Sequence, residues 1–308
     1  MDSDMVQVRI PASSANLGPG FDCIGVALNL YTEVSMGFIE KGLIIEASGE
    51  DYKEIETTEN NLVYKAAKII FEKTETHYKG LKIEIKNGIP IGSGLGSSAA
   101  AIIGGMLAAN ELAGGILTHK EILNLAASME GHADNVGPAL NGGLNVTVFD
   151  GVNTYYVKKE LENDLTFIAF TPKKVLKTEI ARNILPPKID FKDAVFNTGR
   201  SSLLTAALFS GRYDLLKIAS QDMLHQKYRS KLIPEMYACF EKSLEAGAYS
   251  AFLSGAGPTI MAICPEDKAD KVVESVGSVY TYMGIDYRVY KLHCENNGAQ
   301  VSKVSLSI

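Results

Sequence analysis

Pro90-Ile-Gly-Ser-Gly-Leu-Gly-Ser-Ser-Ala-Ala100 lies between a strand pattern and a helix pattern, and its reading decides the rest of the chain. Before it, Leu81-Lys-Ile-Glu-Ile-Lys86 alternates apolar and polar residues, with one face at positions 81, 83 and 85. That period belongs to a strand packed on one side. After it, residues 99–112 are apolar and alanine-rich, as in a buried helix. Gly92, Gly94 and Gly96 allow a left-handed backbone and the close approach of a ligand. The first N–H groups of the helix have no intrahelical partner, and its dipole favours negative charge there. Ser97 and Ser98 add hydroxyls able to donate hydrogen bonds or to reach a metal ion. The combination suits a polyphosphate, although the same residues also suit a plain strand-to-helix turn.

Better-known glycine motifs do not match. No Lys-Ser/Thr follows the last glycine, which excludes a Walker A loop. The Gly-x-Gly-x-Gly spacing differs from the dinucleotide fingerprint. Neither serine stands in Gly-x-Ser-x-Gly, so a hydrolase elbow is unsupported.

The chain has 308 residues, enough for two domains of roughly 100–200 residues each. Thirty Lys and Arg against 36 Asp and Glu give a net charge of −6. A nucleic-acid partner, which calls for a basic stripe, is therefore not expected. Cys23, Cys239, Cys264 and Cys294 are far apart, with no CxxC pair, which argues against a disulfide framework or a zinc site. The stretch MDSDMVQVRI lacks the basic-then-apolar layout of a secretion signal, and a cytoplasmic setting is expected. No charge falls between Lys86 and Glu111, which raises the membrane question. Pro90 and four glycines (88, 92, 94 and 96) break the first half of that run, and the apolar remainder is too short to span. No membrane partner is expected.

Elsewhere, Val6, Val8 and Ile10 alternate with polar residues as a strand. Residues 28–34 and 43–47 read as further strands separated by a loop with Gly37 and Gly42, and 61–73 as a helix. Thr118 with Glu121 forms a capping box that opens a helix to about Glu130, and Gly142-Gly143 turns the chain into a strand at 144–149. After Asp150 the pattern restarts with a strand at 165–170 and helices over 178–185, 191–209, 213–224 and 232–245. Strands at 251–254 and 259–264 flank Gly255-Ala-Gly-Pro258; a helix at 267–276 and a strand at 287–292 follow. The class is α+β, with domains expected over 1–160 and 161–308.

Taken together, four segments resemble the GHMP kinase superfamily, and within it the homoserine kinase family. They are Pro11-Ala-Ser-Ser-Ala-Asn-Leu-Gly-Pro-Gly-Phe-Asp-Cys-Ile-Gly25, the 90–100 loop, Glu130-Gly-His-Ala-Asp-Asn-Val-Gly-Pro-Ala-Leu-Asn-Gly-Gly143 and Phe252-Leu-Ser-Gly-Ala-Gly-Pro-Thr259. The likeness runs along nearly the whole chain in order. It implies a ribosomal-S5-like N-terminal domain that binds ATP and a ferredoxin-like C-terminal domain. It also implies transfer of phosphate from ATP, with Mg2+, to the hydroxyl of L-homoserine on the way to threonine. The family often forms homodimers.

By the resemblance, Pro90, Ile91, Gly92, Ser93, Gly94, Leu95, Gly96, Ser97, Ser98, Ala99 and Ala100 hold the nucleotide phosphates, and Ser98 with Glu130 holds magnesium. Homoserine carries a carboxylate, an ammonium and a primary hydroxyl. Asp22 suits the ammonium, and Asn16 can both donate and accept beside it; both also suit turn chemistry next to Gly18 and Gly20. An arginine fork matches a carboxylate, and the resemblance points to Arg182 and Arg229. His132 and Asn135 belong to the substrate loop, and Gly257 approaches the substrate with its backbone. Relatives such as mevalonate kinase are thought to use an Asp as base where this chain has Asn135, which cannot take a proton. Glu130, Ser98 and Asn135 are thus the expected catalytic set, and Asp134 is the remaining base candidate. Another small-alcohol kinase of the superfamily, or a non-catalytic ligand-binding relative, are the alternatives.

Overall fold

The computed structural model describes residues 5–162 and 164–304; Met1-Asp-Ser-Asp4, part of the stretch read for a secretion signal, lie outside them. The alternating N-terminal residues form β1 (Met5–Asn16), which pairs antiparallel with β2 (Gly20–Ile39). β2 runs through Gly37 rather than ending before it, because that glycine pairs with Lys82 in the ladder to a neighbouring strand. Then follow β3 (Gly42–Gly49), α1 (Leu62–Lys73) and β4 (Gly80–Asn87). α2 (Ser97–Leu112) succeeds the glycine loop. α3 (His119–Glu130) carries the expected capping box on Thr118 and Glu121. A short α4 (Val136–Asn141), β5 (Leu144–Phe149) and β6 (Thr154–Lys159) complete this part.

The second part contains β7 (Leu165–Pro172), α5 (Thr178–Asn183), α6 (Phe191–Ser210), α7 (Leu216–Ala219), α8 (Gln226–Arg229), α9 (Met236–Glu245), β8 (Ser250–Leu253), β9 (Ile260–Pro265), α10 (Ala269–Met283) and β10 (Tyr287–Leu292). β11 (Gln300–Val304) then returns to pair with β1. The continuous helix expected over 213–224 is broken. Asp222 Oδ2 accepts the N–H groups of His225 at 2.9 Å and Gln226 at 2.7 Å, which ends the earlier turn and opens α8 instead. The helix expected from 232 starts at Met236, after Pro234, which has no N–H for a helix interior.

Two sheets result. One has seven strands, with β11-β1-β2-β4-β3 as its spine and β5 and β6 branching from β2; the other is four-stranded in the order β10-β7-β9-β8. Helix α2 is buried along most of its length, against α1 and the β1–β2 face. Two adjacent glycines allow this. A Cβ on Gly104 would lie 2.8 Å from side-chain carbons of Ile10 and Val34, and one on Gly105 2.3 Å from the carbonyl oxygen of Val63. No described helix is long and apolar enough to cross a membrane.

The Gly105 contact is against rigid backbone. Gly105→Ala should therefore destabilise the fold by about 1–3 kcal/mol, the usual cost of overpacking, as read by urea unfolding. An unchanged midpoint would show that α1 and α2 are not seated this closely.

Candidate active site

The N-terminus of α2 organises the site. Gly92, Gly94 and Gly96 have φ of 62°, 87° and 74°, and Gly96 stands at the N-cap with no side chain capping the helix. Glycine is needed for space as well: a Cβ on Gly94 would sit 2.3 Å from Ser254 O, and one on Gly96 2.0 Å from Ser13 Oγ. The loop is pinned from both sides. Ser13 N–H donates to Leu95 O at 3.1 Å and Thr259 N–H to Ser93 O at 3.0 Å. Ser254 Oγ donates to Gly94 O at 2.7 Å and accepts from Ser14 Oγ at 2.7 Å. The first and last of the four family-like segments thus brace the second.

Two cavities meet at this loop and share Gly92, Ser97 and Ser98. One, of about 840 Å³, is walled largely by apolar groups, among them Ile55, Leu62, Val63, Ile85 and Ala101, with Asn60 and Asn61. The other, a cleft of about 610 Å³, gathers Asn16, Asp22, Glu130, His132, Asp134, Asn135, Arg182 and Arg229. In the cleft Arg182 grips Asp22 through two bonds of 3.0 and 2.8 Å. Asn16 accepts the Asp22 N–H at 3.0 Å and donates to Gly255 O at 3.0 Å. Arg229 is only 1% exposed. Its Nε donates to Ala181 O at 3.1 Å and its Nη1 to Gly255 O at 2.9 Å.

Ser98 Oγ donates to Glu130 Oε2 at 3.0 Å. Asn135 accepts from Ser13 Oγ at 3.0 Å and donates toward Asp134 Oδ1 at 3.4 Å, and the same Oδ1 is bound by His132 Nδ1. Burial pushes the Glu130 carboxyl above its ordinary value, with Ser98 and His132 opposing. Burial lowers His132, but the hydrogen bond and charge of Asp134 outweigh it and the net direction is upward. Burial, aided by neighbouring Arg182, brings Arg229 down to about 10, still protonated at neutral pH.

Most of the expected residues therefore converge. Four loop members differ: Leu95, Ala99 and Ala100 are buried in the core, Pro90 is buried at the start of the loop, and none of them lines either cavity. Ile91 lines the apolar cavity. Gly255 and Ala256 face the cleft, whereas Gly257 lies behind them, where a Cβ would meet Ile233 and Leu253 at 2.8 Å. Sequence reasoning missed Thr178 in the cleft and the whole apolar cavity, whose walls come from separate segments without a motif. Asp22, His132 and Asp134 bring ligand-type atoms within 4.8 Å of one another. All three are engaged, Asp22 by Arg182 and Asp134 with His132, and the hydrogen-bonded Ser98 and Glu130 form a separate pair of hard oxygens beside the helix end.

Residues 61–143 match the family model of the GHMP kinases N terminal domain, and 204–281 that of the GHMP kinases C terminal domain. The chain belongs to the GHMP kinases. It is 62% identical over 307 residues to the homoserine kinase of Caldanaerobacter subterraneus subsp. tengcongensis, covering 98% of each chain. It is 48% identical to that of Caldicellulosiruptor bescii, covering 97% of this chain and 98% of the relative. The crystal structure of the homoserine kinase from Cytophaga hutchinsonii superposes with a TM-score of 0.88 at 31% identity, covering 98% of each chain. Within the superfamily, this chain is a member of the homoserine kinase family. The mevalonate kinase of Methanococcus jannaschii shares the fold, with a TM-score of 0.71 at 18% identity over 95% of this chain and 99% of that one.

Because Gly94 abuts the Ser254 carbonyl at positive φ, Gly94→Ala should displace the loop and raise the KM for ATP about tenfold or more, the scale of a strained backbone residue. Steady-state kinetics with varied ATP would read it; an unchanged KM would separate this loop from the nucleotide.

Proposed function

We propose that the chain transfers the γ-phosphoryl group of ATP to the side-chain hydroxyl of L-homoserine, yielding ADP and O-phospho-L-homoserine, a step toward threonine. One observation carries this reading: an uncapped helix N-terminus stands between an apolar cavity and a cleft lined by both signs of charge. The purine occupies the apolar cavity and the phosphates lie on the N–H groups of α2. In the cleft Asp22 takes the ammonium, while Arg182 and Arg229 take the carboxylate. Entry of the zwitterion exchanges the Arg182–Asp22 pair for two equivalent pairs, one at each end of the ligand.

Ser98 and Glu130 fit magnesium, which prefers a few hard oxygens and keeps its remaining positions for water and phosphate. When bound, the ion neutralises charge on the phosphate oxygens. Phosphoryl transfer passes through a loose transition state, so placement and charge neutralisation supply most of the acceleration. A new bond forms between the substrate oxygen and the γ-phosphorus as the bond to the β-phosphate oxygen breaks, and the hydroxyl proton leaves late to a phosphoryl oxygen. Asn135, held by Ser13, orients the hydroxyl. Asp134 holds His132 and Asn135 in place rather than acting as base.

The direct test is ADP release by purified protein with L-homoserine, mevalonate and simple sugars, each with and without magnesium. Magnesium-dependent turnover confined to homoserine is expected. Turnover of another alcohol would reassign the substrate, and nucleotide binding without turnover would favour a non-catalytic relative. A general base is worth roughly 10²–10⁴-fold in rate, so Asp134→Asn should lose less than about a hundredfold in kcat with the KM for ATP unchanged. A larger loss in a folded variant would make Asp134 the base.

Glu130 must be ionised to bind a cation. Its raised pKa means that magnesium affinity should fall as pH drops from neutral toward the ordinary carboxylate range, and protonation of His132 acts in the same direction. Glu130→Gln should raise the magnesium requirement about tenfold or more, the scale of a lost contact to a charged group, and should flatten the Glu130 part of this pH dependence. A variant with wild-type magnesium titration at every pH would remove Glu130 from the metal site.

A further inference from the structure

His225 is fully buried at the first position before α8 and lines neither cavity of the site, yet it touches two parts of the cleft. Its Nε2 lies 2.8 Å from Gly18 O and its Nδ1 lies 3.2 Å from Arg229 Nη1. Both partners are chemically one-sided. A carbonyl oxygen only accepts, so Nε2 carries the hydrogen; a guanidinium only donates, so Nδ1 is bare. The imidazole is therefore neutral and in one tautomer. Burial, together with the Arg229 charge, also disfavours its protonated form, against the opposing pull of Asp222. The charged groups facing the ring are Arg229 and Asp222, whose Oδ2 lies 3.7 Å from Nε2. Phe21 packs on the ring with centroids 5.2 Å apart.

Gly18 lies in the turn between β1 and β2, and the 16–22 loop, meaning that turn with the strand residues flanking it, carries Asn16 and Asp22. That loop is seated on the segment leading to α8: a Cβ on Gly18 would lie 2.1 Å from Ser220 O, and Asn197 Nδ2 donates to Pro19 O at 2.8 Å while its Oδ1 accepts the Met223 N–H at 3.1 Å. In Arg229, Nε and Nη1 are committed to Ala181, Gly255 and His225, and among the described residues Nη2 has no protein acceptor. The guanidinium is thus held in one orientation with one nitrogen left for a ligand.

We propose that His225 is a positioning residue for the amino-acid substrate: as a neutral donor–acceptor bridge it ties Arg229 to the 16–22 loop, fixing the distance between the carboxylate-binding and ammonium-binding arms of the cleft. This rests on the assignment of Arg229 and Asp22 to those arms. A ligand whose charged groups are separated as in an α-amino acid then meets both arms without rearrangement, and the cost of ordering them is met during folding.

The test is steady-state kinetics on full-length variants. His225→Phe keeps a ring against Phe21 but removes both bonds. It should raise the KM for homoserine about ten- to a hundredfold, the range for hydrogen bonds involving a charged group, while leaving the KM for ATP near wild type. His225→Gln, which offers one amide donor and one carbonyl acceptor, should recover part of the loss. Should His225→Phe fail to fold, His225→Asn carries the test: its shorter side chain cannot span both partners, and a raised KM for homoserine alone is expected. Arg229→Ala, measured in parallel, separates the two levels of the argument. If Arg229→Ala leaves the KM for homoserine unchanged, the assignment of the carboxylate arm is wrong and the proposal falls with it. If Arg229→Ala raises it but the His225 variants do not, or if they raise both KM values equally, the bridging role itself is overturned.

Discussion

Everything in this site depends on a helix end left without a cap. Helix α2 is sunk between α1 and the sheet because Gly104 and Gly105 remove the side chains that would hold it away, and most of its length sees no water. Its N-terminal turn contains neither an acidic residue nor a capping side chain, so the positive end of the dipole is unopposed where the chain opens to solvent. Folding leaves that end unsatisfied. In the free protein only water meets those N–H groups, so an anion that displaces it gains both the donors and the dipole, an affinity held in reserve.

The surroundings keep the reserve from being spent internally. Left-handed glycines turn the loop backbone away from the obvious local caps, and Ser13, Ser254 and Thr259 hold the loop's carbonyls rather than the helix N–H groups. The cleft beside it is balanced in a different way: Arg182 is paired with Asp22 and His132 with Asp134, while Arg229 is held by two carbonyl oxygens and His225. A zwitterion can replace such a pairing at little electrostatic cost, whereas a ligand with a single charge would leave one arm uncompensated. In the proposed reading, selectivity for an amino alcohol lies in this balance, and the rigid cross-bracing among Arg229, His225 and the 16–22 loop supplies the geometry.

Much of this was legible in the chain because the signals are local. The period-two strand, the glycine spacing and the Thr118–Glu121 box each depend on a few consecutive residues, and each appears where it was read. The elements that escaped are set by pairing and capping rather than by their own residue pattern. β6 has exposed Tyr155, Tyr156 and Val157 and little alternation to mark it; its strand character comes from pairing with β5. β11 is defined by β1, nearly the full chain away. The helix read over 213–224 failed because Asp222 serves as a cap for α8, a role that apolar periodicity does not register. In the site, Leu95, Ala99 and Ala100 shared a motif with their neighbours but face the core, since a helix entering a sheet must bury one side. His225 carries no mark of its role in the sequence, because the fold alone sets Gly18 at one ring nitrogen and Arg229 at the other. The apolar cavity has no sequence signature because Ile55, Leu62, Ile85 and Ala101 come from four separate segments.

A crystal structure of the protein with a non-hydrolysable ATP analogue, magnesium and L-homoserine tests this arrangement most directly. The purine should lie between Leu62 and Ile91, the phosphates against the N–H groups of Ser97 and Ser98, and the homoserine hydroxyl beside Asn135, facing the γ-phosphate. Phosphates bound away from the start of α2, or an amino acid held without Asp22 and the two arginines, would contradict it.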